Sequence, residues 1–391
     1  MKKTVDILIV GSSISGLLIA KELSKNNKVL IIDKKKETDI NVCYTGLKKY
    51  FEDTFFEKYI SKEFKEAYVR FLDGNKKYLS ADFVSLNEED LIKDLLDEIR
   101  ENGSEILFNT EYIGHKNEND NVLAEISGKI VKTKLIVDCT GSEYSKDSYY
   151  FNIYGGVYNK KILSYKDINF VEINEKRKPT IFFEYFPIND DQIVLYVFDF
   201  SKEKINPIEY KELEKEYITK ANIGITQVDK LKEVYGSIPM GKMKTSKEDN
   251  VFIYGNAANI SPSATGFSLI NMVKTYEGVT KFLQSRIEEN KFDKKSLSYK
   301  YESRFLMNQE FQYAAAKVNL KASPDEIIQL FEAFTDENEL FIKFCTSDLN
   351  KGEIFKIIFI MFKKVGFLKI FRILGKESFS VINSLIKIII S

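Results

Sequence analysis

The stretch ILIVGSSISGLL, residues 7–18, decides the fold of this 391-residue chain. Its first four residues form a continuous apolar run typical of a buried strand, a small-residue turn from Gly11 to Gly16 follows, and apolar residues then recur at helical spacing. A second apolar run, Val29–Ile32, completes a strand, helix, strand unit with short connections. This order predicts two parallel strands joined by a crossover helix.

The turn between the first strand and the helix carries most of a dinucleotide-binding fingerprint. Gly11 permits a tight turn, Gly16 lets the helix pack closely on the strand, and Ser13 replaces the middle glycine of the usual GxGxxG pattern. The helix amino terminus would offer N–H groups to a diphosphate, and Asp33, at the end of the second strand, would accept hydrogen bonds from ribose hydroxyls. The alternative is an ordinary strand–turn–helix without a ligand. The expected contact residues are Gly11, Ser12, Ser13, Ile14, Ser15, Gly16, Asp33 and Lys34.

Composition limits the partners and the compartment. Lys and Arg together number 58, as do Asp and Glu, so no global charge would attract the chain to nucleic acid. The three cysteines, Cys43, Cys139 and Cys345, are far apart and form no CxxC pair, which argues against a disulfide scaffold, a zinc site and a dithiol redox centre. We therefore expect a protein of the reducing cytoplasm that has no metal site. The length predicts about two lobes.

A second motif lies far along the chain, at VFIYGNAANISPSATGF, residues 251–267. It resembles the carboxy-terminal flavin motif of the p-hydroxybenzoate hydroxylase fold, most closely that of lycopene cyclases, in which a GxAA turn precedes a PxTG[YF] turn. The proline here, Pro262, stands one place early. The resemblance implies FAD as cofactor, with the first turn beside the ribityl chain and the second opening a helix against the isoalloxazine ring. The residues so assigned are Gly255, Asn256, Ala257, Pro262, Thr265, Gly266 and Phe267.

Two shorter segments extend the resemblance. VDCTG, ending at Gly141, is similar to a D[AC][TS]G motif that supports the flavin nucleotide, and SIPMG, residues 237–241, resembles an IPMG segment of lycopene cyclases. The resemblance implies an α/β fold: a discontinuous Rossmann-like FAD-binding domain, an inserted antiparallel-sheet substrate domain and a helical carboxy-terminal region. The expected boundaries are 1–45, 85–145 and 236–285 for the FAD domain, 46–84 and 146–235 for the substrate domain, and 286–391 for the helices.

The catalytic motifs of the relatives are only partly kept. Plant-type lycopene cyclases hold a glutamate-rich FLEET-like motif where this chain has LYVF, residues 195–198, so the acidic pair is missing and Tyr196 is a far weaker acid. On the preceding predicted strand, Glu184 stands beside Phe183 and Tyr185, and a carboxyl group in apolar surroundings can act as an acid. Glu184 and Tyr196 are therefore the candidate catalytic residues, although Glu184 could also point to solvent.

The same strand supports a redox interpretation. PTIFFEYFP, residues 179–187, resembles the PxxYxWxFP motif of geranylgeranyl reductases. In those enzymes reduced FAD delivers hydride to the double bonds of a prenyl chain in an apolar tunnel, so NAD(P)H or another reductant is the implied electron donor. We expect Phe182, Phe186 and Phe198 to line such a pocket; the alternative is an ordinary aromatic sheet core.

These observations predict an FAD-dependent oxidoreductase acting on a hydrophobic, isoprenoid or carotenoid-like substrate. A non-redox cyclase of the lycopene type is the first alternative, and an FAD monooxygenase or a non-catalytic flavin- or prenyl-lipid-binding protein follows. The sequence leaves the exact substrate, the electron donor and the oligomeric state open.

The carboxy-terminal region suggests a membrane surface. From Ile354 onward the chain is strongly apolar with interspersed basic residues, a pattern that can lie on an anionic bilayer. No run reaches the roughly 20 apolar residues that a spanning helix needs. We therefore expect peripheral contact with the inner face of a membrane, or helices that simply cover the substrate lobe. The basic residues of this pattern are Lys356, Lys363, Lys364, Lys369, Arg372 and Lys387.

Overall fold

A computed structural model describes residues 3–36, 43–118, 121–141, 149–160, 168–173, 178–221, 224–225 and 229–375. In this part of the chain, three sheets and a carboxy-terminal group of helices form two lobes. The α/β class and the division into a Rossmann-like lobe, an aromatic sheet lobe and a helical end agree with the sequence-based prediction.

The first lobe is built on a five-stranded parallel sheet, in which every neighbouring pair runs parallel. All residues of its three inner strands are buried, which explains why these strands are continuous apolar runs in the sequence. In pairing order the strands are β17 (Val251–Ile253), β11 (Leu135–Asp138), β2 (Ile7–Val10), β3 (Val29–Ile32) and β7 (Glu105–Leu107). Three helices share a core with this sheet: α1 (Ile14–Leu23), α2 (Glu88–Glu101) and α4 (Ser268–Glu288).

A four-stranded sheet covers the other face of the parallel sheet, where Val122 and Ala124 pack against Leu8 and Leu30. The sequence analysis did not predict this sheet, because its strands are short and carry many charged residues on an exposed side. In pairing order its strands are β1 (Lys3–Thr4), β10 (Lys129–Thr133), β9 (Asn121–Ile126) and β8 (Tyr112–Glu118).

The second lobe contains an eight-stranded, largely antiparallel sheet. Three strands rich in aromatic residues lie next to one another near its centre. Helix α3 (Pro207–Ala221) packs on one face of the sheet. In pairing order the strands are β16 (Lys230–Met240), β12 (Tyr149–Asn159), β15 (Gln192–Ser201), β14 (Phe182–Pro187), β13 (Asn169–Glu172), β5 (Ile60–Arg70), β6 (Lys76–Leu86) and β4 (Thr45–Leu47).

Helices that follow the nucleotide lobe cover the opposite face of this sheet. Their buried apolar side chains join one core with Phe182, Phe186 and Phe198. Among the described helices, none is long and apolar enough to cross a membrane. Lys387, part of the predicted basic pattern, lies outside the described residues. The helices are α5 (Ser303–Lys321), α6 (Pro324–Thr335), α7 (Asn338–Cys345), α8 (Lys351–Val365) and α9 (Phe367–Leu374).

Four of the expected domain boundaries fall inside secondary-structure elements. The boundary at residue 45 falls inside β4 and the one at residue 285 inside α4, and the other two fall inside strands of the large sheet. The boundary at residue 236 falls inside β16, whose ladder with β12 continues until Met240 pairs with Tyr149. The boundary at residue 85 falls inside β6, which ends at Leu86. In both cases the strand runs to the edge of the nucleotide lobe before the chain leaves the sheet, so the lobes meet along strand ends.

Candidate functional site

The fingerprint loop lies at the carboxyl ends of the parallel strands, where open α/β sheets bind ligands. A Cβ atom on Gly16 would lie 2.0 Å from the carbonyl oxygen of Gly11, so helix α1 can start this close to β2 only with glycine at position 16. Gly11 has φ of +103°, and a Cβ there would lie 3.0 Å from the carbonyl oxygen of Cys139. The loop is therefore fitted against the end of β11 as well.

Asp33 is tied to the fingerprint loop. Its Oδ2 accepts hydrogen bonds from the amide nitrogen and the hydroxyl of Ser12, both at 2.8 Å, and its Oδ1 accepts one from the amide of Lys35 at 2.9 Å. Carboxylate oxygens have further lone pairs, and Asp33 remains partly exposed, so it can still accept a ribose hydroxyl. Lys34 is exposed beside it.

The amino terminus of α1 is open. Ser13 is exposed at the N-cap position and its side chain makes no capping hydrogen bond. The first N–H groups of a helix have no partner within the helix, so this end attracts anions. Ile14 and Ser15, in the first turn, are buried. The loop thus offers backbone donors and a helix dipole to a diphosphate, with a small hydroxyl where the usual motif has glycine.

The structure brings the second motif directly to this loop. Gly255 has φ of +64°, and a Cβ added there would lie 2.4 Å from Oγ of Ser15. Gly255–Ala258 forms a 3-10 turn, and Oδ1 of Asn256 accepts a hydrogen bond from Ser261 at 2.7 Å. Ala257 is buried within the turn. The two motifs, more than 200 positions apart, therefore form one continuous surface.

The second turn of the motif connects this surface to the other lobe. The amide of Gly266 donates to the carbonyl oxygen of Pro262 at 2.9 Å, and α4 begins at Ser268. The hydroxyl of Thr265 donates to the carbonyl oxygen of Cys345 at 3.0 Å. Phe267 stacks on Phe170 of the aromatic sheet, with ring centroids 5.8 Å apart. The turn is held from both the helical region and the sheet.

The VDCTG segment completes the nucleotide side. Oδ1 of Asp138 accepts a hydrogen bond from the amide of Thr140 at 2.8 Å, and burial raises the pKa of Asp138. Gly141 is exposed, and a Cβ there would lie 3.9 Å from Pro239 of the SIPMG segment. The VDCTG segment, residues 137–141, and the SIPMG segment, residues 237–241, are therefore neighbours in the structure.

The residues present fit an FAD molecule. Gly11, Gly16 and Gly255 allow the close contacts that bring the two motifs together, the amino terminus of α1 carries N–H groups that have no partner within the helix, and Asp33 follows β3. The connection from this surface to the aromatic lobe passes through Thr265–Phe267.

Two apolar cavities adjoin the turn. The first, about 90 Å³ in volume, lies between the eight-stranded sheet and the carboxy-terminal helices. The second, about 120 Å³ in volume, lies between the same sheet and the start of α4. Both are lined by Phe170, Glu184, Phe198, Thr265 and Phe267. These five side chains form the partition wall between the two cavities.

The predicted pocket aromatics lie on one face of the sheet. Phe182 lines the first cavity, Phe186 the second and Phe198 both, and the rings of Phe182 and Phe198 stack with centroids 5.2 Å apart. Phe183 and Tyr185, expected to surround Glu184, instead point to the opposite face and pack against α3. Alternation along β14 is the reason, since successive side chains of a strand point to opposite faces.

Glu184 and Tyr196 are opposite each other on neighbouring strands and share the cavity face. Burial raises the pKa of Glu184 to about 8, so its carboxyl group is largely protonated at neutral pH. Burial also raises the pKa of Tyr196 well above 10, and its hydroxyl oxygen accepts a hydrogen bond from the amide of Cys43 at 3.1 Å. Tyr196 is therefore a fixed neutral phenol.

Sequence reasoning missed the wall that the carboxy-terminal helices contribute. Phe331 packs on Phe182, and Phe341 packs on Phe170, so these helices close the first cavity. Asn319 and Cys345 also line it. No local pattern identifies these residues, because their periodicity is that of any buried helix face.

These features define a class of two-lobe α/β proteins in which a Rossmann-type nucleotide lobe faces an aromatic sheet across apolar cavities. The family model for lycopene cyclase protein matches residues 6–368. The chain belongs to this family.

The chain is also similar to other proteins, in part of its sequence or in its fold. Digeranylgeranylglycerophospholipid reductase 3 of Methanosphaera stadtmanae is 27% identical over 160 residues, and the match spans 36% of this chain and 40% of that protein. The fold is that of a geranylgeranyl bacteriochlorophyll reductase-like protein of Thermoplasma acidophilum, at a TM-score of 0.72 and 17% identity, covering 96% of this chain and 100% of that one. A variant of the halogenase PltM in complex with FAD has a similar fold, with a TM-score of 0.60 at 13% identity. The match covers 98% of this chain and 95% of that one.

Proposed function

We propose that this protein is an FAD-dependent oxidoreductase that acts on a hydrophobic, isoprenoid substrate. The observation that carries the proposal is the position of Thr265 and Phe267, which continue the nucleotide motif and also line both apolar cavities. A cofactor held along the motif would share this wall with the substrate. Apolar cavities with few polar groups are typical sites for such ligands.

Each part of the cofactor has a candidate partner. The loop from Gly11 to Gly16 and the start of α1 would hold the diphosphate, Asp33 the ribose, and Gly255–Ala257 the ribityl chain. When bound, FAD supplies hydride chemistry. The protein's own part is to exclude water from the cavities and to position the substrate there. NAD(P)H or another reductant is the proposed electron donor.

A prenyl chain suits the lining. The first cavity is surrounded mainly by phenylalanine and aliphatic side chains, and its polar lining residues include Glu184, Thr265 and Asn319. Two of the relatives are named for geranylgeranyl reduction or a likeness to it. An isoprenoid tail is apolar, so its contact with such a lining leaves none of its own groups without a hydrogen-bond partner.

A non-redox cyclase of the lycopene type is the second candidate, because the family model carries that name. Residues 195–198 lack the carboxylates of the family's acidic motif. Cyclisation in this chain would then need the carboxyl group of Glu184 instead.

One experiment separates the two functions. The purified protein is loaded with FAD and reduced without oxygen, and a geranylgeranyl lipid or lycopene is then added. Re-oxidation of the flavin by the geranylgeranyl lipid supports the reductase. Isomerisation of lycopene while the flavin stays reduced supports the cyclase. If neither reaction occurs, both functions are refuted.

We also propose that α8 and α9 contact an anionic membrane. Phe359 and Leu368 are 65% and 83% exposed on these helices, and Phe355 and Phe367 are exposed on the same two helices. The two helices carry six basic residues, Lys351, Lys356, Lys363, Lys364, Lys369 and Arg372, and one acidic residue, Glu353. Several of the basic side chains pair with acids near α6, so the exposed aromatic and aliphatic groups would supply most of the binding.

The double variant Phe359→Ser, Leu368→Ser is expected to lower binding to phosphatidylglycerol-containing vesicles at least about tenfold, because each substitution removes an apolar group that would leave water. Co-sedimentation measures the binding. Ile208→Ser is the matched control, since Ile208 is 76% exposed on α3 in the other helical layer. Equal losses in the control, or no loss in the double variant, would contradict this contact.

A further inference from the structure

Glu184 stands out among the residues that line the cavities. It belongs to the partition wall, so its side chain borders both spaces. It is also the only Asp, Glu, Lys or Arg among the described lining residues. Its aromatic neighbours on the same sheet face can form an apolar lining at no such cost, whereas a buried carboxyl group without a hydrogen-bond partner lowers stability.

The carboxyl group of Glu184 lacks a fixed partner. Within the described residues it makes no hydrogen bond or ion pair. The ionisable groups that face the same spaces are Tyr196 on β15, Cys345 at the end of α7, and Cys43 and Tyr44 before β4. Burial raises the pKa of all four, so each stays neutral near pH 7. The proton of Glu184 is therefore not committed to a neighbouring group.

We infer that Glu184 is the proton donor of the site and delivers its carboxyl proton to a substrate carbon–carbon double bond. The inference rests on the proposed function. In this reaction, one carbon of the double bond would receive the hydride that bound reduced flavin supplies. The other carbon would receive the proton of Glu184. The double bond becomes a single bond, the flavin is left oxidised, and Glu184 is left as a carboxylate that water reprotonates.

The position of Glu184 suits this task. A donor must reach the reacting atoms, and Glu184 borders both cavities beside Thr265 and Phe267, which continue the nucleotide motif. The donor must also carry its proton at working pH, and burial raises the pKa of Glu184 to about 8. Tyr196, opposite on β15, keeps its own proton and is held by Cys43, so it shapes the wall instead.

Protonation of Glu184 can be tested without turnover. The folded pKa is raised above the unfolded value of 4.5, so the folded state holds the extra proton between pH 4.5 and about 8. The stability that this proton contributes is full below pH 4.5 and is lost progressively as the pH rises from 4.5 to about 8. The melting temperature of wild type, measured against that of Glu184→Gln at the same pH, should therefore fall as the pH rises from about 5 to about 9. An infrared band of the protonated carboxyl group should be present in wild type and absent in the variant. This band should disappear as the pH rises through the folded pKa of about 8.

Turnover then tests the role. We expect Glu184→Gln to keep the flavin spectrum and its reduction by dithionite, and to lower reduction of a geranylgeranyl lipid at least about a hundredfold. The wild-type rate should fall above pH 8, whereas the residual rate of the variant should not follow that titration. Glu125→Gln, a change at an exposed glutamate of β9, is the control and should match wild type.

The outcomes distinguish a failure of the proposed function from a failure of the assignment of Glu184. If wild type does not reduce the lipid, the proposed function fails, and the melting and infrared data still show whether Glu184 holds a proton. If wild type reduces the lipid and Glu184→Gln does so at an equal rate, or if the carboxyl group is ionised at pH 7, the assignment of Glu184 is overturned while the proposed function stands.

Discussion

Ser13→Asp is expected to weaken FAD binding at least about a hundredfold while leaving the fold as stable as wild type or more so. Ser13 is the exposed N-cap residue of α1 and makes no capping bond. An aspartate is a good N-cap, and its charge interacts favourably with the helix amino terminus. The same charge would stand where the diphosphate is proposed to bind, and like charges a few ångströms apart repel strongly.

Ser13→Asn provides the matched control, because an amide of the same shape caps the helix without a charge. Titration with FAD, followed by flavin fluorescence, measures the affinity, and thermal melting measures stability. Equal affinities of the aspartate and asparagine variants would place the diphosphate elsewhere. A melting temperature reduced only in the aspartate variant would show that the helix end is not open as described.

Ala315→Trp is expected to lower the affinity for a geranylgeranyl lipid at least about tenfold, because the new ring would occupy the first cavity. Ala315 lies on α5 and lines the first cavity but not the second. The flavin spectrum and the FAD affinity should therefore stay unchanged. Isothermal titration or quenching of flavin fluorescence by the lipid provides the measurement.

Ala315→Ser is the conservative control, since it changes the polarity of the wall by one hydroxyl and leaves the volume almost unchanged. If Ala315→Trp binds the lipid as wild type does, the first cavity is not the lipid site. If it loses FAD instead, the substitution has disturbed the turn at Thr265, which is tied to the helical region through Cys345.

The nucleotide lobe was largely predictable from the sequence for a physical reason. Strands buried on both faces, such as Ile7–Val10 and Val29–Ile32, must be apolar throughout, so local composition reveals them. Gly11 and Gly16 lie against backbone atoms and Gly255 lies against the side chain of Ser15, so none of the three positions has room for a Cβ atom. Such constraints are local, and a short pattern is enough to express them.

The substrate side was predictable only in part. Alternation along β14 could have indicated that Phe182 and Glu184 share a face, but the identity of that face depends on what packs there. The covering wall comes from Phe331 and Phe341, more than 130 positions away. Its position is set by contacts such as the hydrogen bond from Thr265 to Cys345, which local periodicity does not express.

The most direct test of the account follows the lipid itself. FAD-loaded protein is reduced without oxygen and incubated with a geranylgeranyl lipid while the flavin spectrum is recorded. The molecular mass of the recovered lipid is then measured by mass spectrometry. We predict a product that has gained two hydrogen atoms for each flavin re-oxidised. A protein that binds no FAD, or a lipid of unchanged mass beside flavin that stays reduced, would contradict it.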